Sequence, residues 1–186
     1  MKNAVSLACA VALAALSMPV FAAEGQGHQA FVRGEIGSTD FEVSAGGFSV
    51  SDDDTAIGAG GGYWFNANFG VEGNYTLLYN QELDRDLDFD VFSLAGGVVA
   101  KKNFGADGNG FYIGGRAGLA YVTAQVRDGF DVEDDESSFG PYFGVNAGYD
   151  INRHFGLGLN YTRYQADLDD ADIDADVLSV SGEYRF

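Results

Sequence analysis

The chain is 186 residues long, with 28 acidic against 10 basic side chains and a formal net charge of −18. So acidic a surface repels phosphate backbones and excludes a nucleic-acid partner, and a single cysteine excludes a disulfide scaffold. Fifteen Phe, 10 Tyr and 27 Gly beside 2 Pro are the makeup of many short strands joined by tight turns.

Residues 1–3 are a short basic start, 4–16 an almost unbroken apolar run, and 17–22 (Ser-Met-Pro-Val-Phe-Ala) offer the small residues a signal peptidase reads. Cleavage is expected after Ala22, making 1–22 an export signal and 23–186 one barrel domain. The apolar run falls short of the ~20 residues a spanning helix needs. Cys9 leaves with the signal, and Ser6-Leu7-Ala8 lacks the Leu expected three residues before a lipidated Cys, so neither lipidation nor thiol chemistry is expected.

Eight segments with a period of two follow, the mark of strands whose successive side chains leave opposite faces. Residues 30–40 set Val32, Gly34 and Ile36 against Arg33 and Glu35; residues 55–65 set Ile57, Ala59 and Tyr63 against Gly58, Gly60 and Gly62. Residues 69–79 set Phe69, Val71, Tyr75, Leu77 and Tyr79 against Glu72, Asn74 and Thr76. Residues 86–100 set Phe92, Leu94 and Val98 against Ser93, Ala95 and Gly97; residues 111–126 set Phe111, Ile113, Leu119 and Tyr121 against Tyr112, Gly114 and Arg116. Residues 139–150 set Phe143, Val145 and Tyr149 against Tyr142, Asn146 and Gly148. Residues 155–165 set Phe155, Leu157, Leu159 and Tyr161 against Gly158, Asn160 and Thr162. The closing segment, 176–186, sets Leu178, Val180 and Tyr184 against Ser179, Ser181, Glu183 and Arg185. Each is near the ~10 residues a tilted strand needs to cross a bilayer. The expected fold is all-β: a closed eight-stranded antiparallel transmembrane barrel, lipid outside and a polar interior.

The connections after the second and sixth segments, 66–68 and 151–154, are short; 101–110 is longer and rich in Gly and Asn. Those after the first, third, fifth and seventh are acidic, and three are longer. Short periplasmic turns opposite larger extracellular loops are the outer-membrane pattern, and an even strand count puts both termini in the periplasm.

Gly62-Tyr63-Trp64-Phe65-Asn66-Ala67-Asn68-Phe69-Gly70 recurs as Gly148-Tyr149-Asp150-Ile151-Asn152-Arg153-His154-Phe155-Gly156. With the terminal Tyr184-Arg185-Phe186, the chain resembles the small eight-stranded outer-membrane barrels of the OmpA/OmpX type, without their peptidoglycan-binding extension. The resemblance implies an outer-membrane location, with Tyr184 and Phe186 as the signal recognised by the barrel-assembly machinery.

Eight strands leave an interior that side chains can just fill. The inward row supplies Arg33, Glu35, Glu72, Arg116, Glu183 and Arg185, and charges within such a wall must be paired or solvated. A structural ion-pair network is expected; a gated pore or proton path is the alternative. Beyond the membrane the pattern inverts. Strict parity places Phe41 and Val43, then Leu87, Phe89 and Val91, then Val122, Ala124 and Val126, inside. It does the same for Tyr164, Ala166 and Leu168, and for Ile173, Ala175 and Val177. Charged outward rows and an apolar inside suit a sheet in water, so an extension with its own apolar plug is expected above the membrane.

Most of the acids cluster at that end, opposed by Arg85 and Arg127. The rows Asp86/Asp88/Asp90 and Asp172/Asp174/Asp176 hold hard oxygen ligands, and a weak shared site for divalent cations bridging to lipopolysaccharide phosphates is the sharper reading; a solvated surface is the plainer one. Catalysis would need a histidine near a serine or acid. His28 precedes the first strand and His154 sits in a turn, so neither an enzyme nor a cofactor is expected. The functional expectation is a monomeric, non-enzymatic structural or surface-interaction protein in contact with lipid and lipopolysaccharide; a small passive solute channel is the alternative.

Overall fold

A sheet apolar on one face and polar on the other satisfies both by closing on itself, which also removes its free edges. The computed structural model describes residues 28–45, 48–84, 87–105, 109–128, 131–167 and 172–186. They form β1 (Gln29–Ala45), β2 (Phe48–Trp64), β3 (Phe69–Asp84), β4 (Leu87–Asn103), β5 (Gly110–Asp128), β6 (Asp131–Asp150), β7 (Phe155–Asp167) and β8 (Asp172–Arg185). Each strand pairs antiparallel with its sequence neighbour, and β1 pairs with β8 to close the barrel. The expected signal segment, Cys9 included, lies outside the described residues.

The register carries a stagger. From Phe31 the cross-strand partners run Gly62, Glu72, Gly97, Gly118, Tyr142, Tyr164, Ala175 and then Phe41, so the path re-enters β1 ten residues above its start. Closure of tilted strands requires such a shear, and it sets which interior side chains meet across the lumen.

The outer face carries an apolar belt that includes Ile36, Leu94, Val98, Ile113, Val145, Leu159 and Val180. Aromatic rings mark its margins: Phe111, Tyr149, Phe155 and Tyr184 at the short-turn end, Tyr121, Phe139 and Tyr161 at the other. The short turns 65–69 and 151–155 are built alike. Asn66 Oδ1 accepts from the Asn68 and Phe69 amides at 2.8 and 2.9 Å, and Asn152 Oδ1 from the His154 and Phe155 amides at 2.8 and 2.8 Å. One side chain replaces the ladder partners that a turn removes, which is the physical content of the repeated motif.

Several expectations change. The expected sheet extension is present, with the β4–β5 ladder reaching Leu87 and Asp128, but it also takes in residues read as a connection: Asp52, Asp53 and Asp54 pair with Phe41, Asp40 and Thr39. Aspartate has poor strand propensity, so residues 52–54 read as part of a connection. The ladder of the neighbouring strand overrides that preference. Only 46–47, 85–86, 129–130 and 168–171 separate these strands, and those tips lie outside the described residues. Lys101, Lys102 and Asn103, expected in a connection, end β4. Strict parity also fails in β3: a register shift between Leu77 and Tyr79 pairs Leu77 with Phe92 and Tyr79 with Val91, so the outward row cannot be counted across it.

Candidate functional site

The interior is the candidate site, and it is filled in layers. Arg33 donates through Nη1 to Glu72 Oε2 at 2.8 Å and through Nη2 to Glu183 Oε2 at 2.7 Å. Tyr142 donates its hydroxyl to Glu72 Oε1 at 3.0 Å. Above, Arg116 grips Glu35 with Nη1–Oε1 at 2.7 Å and Nη2–Oε2 at 3.0 Å, and gives Nε to Thr162 Oγ1 at 3.0 Å. Ser179 Oγ donates to Glu35 Oε2 at 3.1 Å. The structure thus brings Arg33, Glu35, Glu72, Arg116, Glu183 and Arg185 into one network, with Arg185 Nε 3.1 Å from Glu183 Oε1.

Two members escaped the sequence reading. Lys101 Nζ lies 3.2 Å from Asp150 Oδ2 and sits over the rings of Trp64 and Tyr112, 4.9 and 5.3 Å from their centroids. Asp150 also takes Asn103 Nδ2 at 2.9 Å and Arg185 Nη2. Period-two counting finds both: Lys101 continues the row Ser93–Ala95–Gly97, and Asp150 the row Asn146–Gly148. With them, Arg33, Lys101, Arg116 and Arg185 face Glu35, Glu72, Asp150 and Glu183, and the paired interior charges cancel.

Space for the large side chains comes from glycines on facing strands. Gly97 and Gly118 are cross-strand partners, and a Cβ on either would lie 2.7 Å from Tyr142. Gly148 and Gly158 are likewise partners, and a Cβ on either would lie 2.6 Å from the Tyr112 hydroxyl.

Toward the hairpin end the filling turns apolar. The ring of Tyr142 stacks on Tyr164 at 5.7 Å, and above them Leu78, Val91, Val122, Ala166, Ala175 and Val177 pack into one buried cluster. Among residues whose side chains are described, Val91, Val122, Tyr164, Ala166, Ala175 and Val177 keep the inward parity; Phe41, Val43, Leu87, Phe89, Ala124, Val126, Leu168 and Ile173 fall outside that set.

The acidic rim holds a cation that the sequence count overlooked. Arg163 lies 3.0 Å from Asp174 and 3.3 Å from Asp176, with Gln165 Nε2 donating to Asp174 at 3.0 Å and Tyr161 donating to Asp176 at 2.9 Å. Asp176 and Asp174 raise the Arg163 pKa further above its ordinary value. Asp86 lies outside the described residues, as do the side chains of Asp88, Asp90 and Asp172. Among the described residues no three His, Cys, Asp or Glu side chains are grouped to hold a metal.

His154 is a turn residue: its amide donates to Asn152 and its ring Nδ1 lies 2.9 Å from the Arg185 carbonyl. His28 stands 6.3 Å from the Tyr63 ring. Tyr184 and Phe186 face outward, edge to face at 5.1 Å, and the Phe186 amide donates to the Ala30 carbonyl at 3.0 Å.

The family described as outer membrane protein beta-barrel domain matches residues 8–186. No curated protein sequence matches closely enough to count as a relative. Among solved structures, Neisserial surface protein A superposes with a TM-score of 0.66 at 17% identity over 84% of this chain and 97% of its own. OprG of Pseudomonas aeruginosa gives 0.57 at 15% identity over 87% and 97%. Ail, the attachment invasion locus protein of Yersinia pestis, gives 0.54 at 20% over 87% and 100%, in a complex with the heparin analogue sucrose octasulfate. At these identities the likeness is one of fold.

Proposed function

The chain belongs to the outer membrane protein beta-barrel family, and from that membership we propose that it is a plugged, non-enzymatic barrel that displays acidic hairpins at the cell surface and passes no solute. The filled interior carries this reading. A channel needs a continuous path of water, whereas here paired charges occupy the lumen at Arg33, Glu72 and Arg116 and an apolar cluster around Tyr164 and Val122 closes the hairpin end. The hairpins then serve contact rather than transport. Their charge selects against polyanions: the sulfated analogue bound in the Ail structure is the kind of ligand that Asp40, Asp174 and Asp176 repel. Cationic partners and divalent ions bridging to lipopolysaccharide fit that surface.

Planar-bilayer recording with the purified barrel tests the closed lumen. Long recordings free of sustained openings are expected, and steady nanosiemens-scale steps would replace this reading with a passive channel.

A further inference from the structure

Asn74 is out of step with its surroundings. On β3 it lies between Glu72, which binds Arg33 and Tyr142, and Thr76, whose hydroxyl lies 3.3 Å from that of Tyr164. Its own amide, both Nδ2 and Oδ1, is buried and meets no hydrogen-bonding group of the protein. The register explains why: the cross-strand partners of Asn74 are Gly60 on β2 and Ala95 on β4, which bring no polar side chain. A buried amide left without partners forfeits the hydrogen bonds it had in water, so a position like this is populated when something else supplies them.

Beside Asn74 is a cavity lined by Arg33, Glu35, Glu72, Thr76 and Arg116, with the glycine column of β2 as its wall. Its room for the centre of a water-sized sphere is about 10 Å³, the space of a single water. Charge decides between candidate occupants. The lining holds two guanidinium groups and two carboxylates already paired with one another, so an added cation or anion would leave one buried charge uncompensated. A neutral molecule that both donates and accepts adds no such charge, and Asn74 needs both functions.

We propose that this cavity is a binding site for one ordered water, held by the Asn74 amide and bridging it to the charged groups of the lining. The water joins the Arg33–Glu72 layer to the Arg116–Glu35 layer. Enclosed by the barrel wall, it exchanges with bulk far more slowly than surface hydration.

Magnetic relaxation dispersion of the water signal, recorded on the barrel in detergent micelles, counts such long-lived molecules. The parent protein is expected to show at least one, and Asn74→Leu, similar in volume and apolar, one fewer. A water-to-side-chain cross-peak on the Asn74 amide protons of the parent locates it without relying on the variant's folding. A parent with no such cross-peak, or a folded Asn74→Leu with an unchanged count, would overturn the proposal.

Discussion

Arg116 on β5 and Glu35 on β1 meet across the lumen in a two-pronged contact of 2.7 and 3.0 Å, although their strands are not neighbours in the sheet. Arg116 is buried and Glu35 half-buried, and Thr162 and Ser179 occupy further sites on the pair. Truncating one partner strands the other charge in a low-dielectric interior. Glu35→Ala is expected to lower stability by about 3–5 kcal/mol, and replacing both residues by apolar ones by markedly less. Urea unfolding in detergent micelles of both variants checks this; equal losses would show that the charge left behind is not the cause.

The matching turns give a milder test. Asn66→Ala and Asn152→Ala each abandon two backbone amides, and each is expected to lose about 1–2 kcal/mol. Aspartate keeps the accepting oxygen, so Asn66→Asp and Asn152→Asp should remain close to the parent in the same unfolding measurement.

Gly158 and Tyr112 form a testable pair, since a Cβ at Gly158 would come within 2.6 Å of the Tyr112 hydroxyl. Gly158→Ala is expected to lose about 1–3 kcal/mol by overpacking. In a Tyr112→Leu background the same change should cost much less. Unfolding midpoints of the four proteins give the coupling directly, and additive losses would mean that the tyrosine is not what limits the site.

At the rim, Arg163 competes with any metal ion for Asp174 and Asp176. The contact is partly exposed, so Arg163→Gln is expected to change stability by no more than about 1 kcal/mol. It should, however, enlarge the rise in melting midpoint produced by millimolar Ca²⁺ over sodium chloride of equal ionic strength. A calcium effect no larger than that of the sodium salt in both proteins would leave the acidic rim as a solvated surface.

The strands and their lipid-facing rows were legible because period-two alternation directly reports two different solvents. Arg33, Glu35, Glu72 and Arg116 stood out for the same reason, as charges in rows that face away from lipid. Which carboxylate each arginine takes was not legible: that depends on the ten-residue stagger of the register, and no single strand contains it. Lys101 and Asp150 were missed because Lys101 was assigned to the connection after the fourth segment, and the inward row of the sixth was followed only to Gly148 although its segment reached Asp150. The extension beyond the membrane was legible from its apolar inward row, but its full reach was not: Asp52, Asp53 and Asp54 were left in a connection because aspartate has weak strand preference.

The contact between Arg33 and Glu183 spans 150 residues of chain, from the first strand to the last. It cannot exist until β8 has arrived and been accepted beside β1, so it forms at the end of folding, after the long loop between the two has been closed. Interactions that are absent from the folding transition state do not hasten folding; they slow its reversal. Removing Glu183 is therefore expected to leave the insertion rate nearly unchanged and to shorten the lifetime of the closed barrel. The latch sets how long the molecule stays shut, while the local ladders set how quickly it gets there.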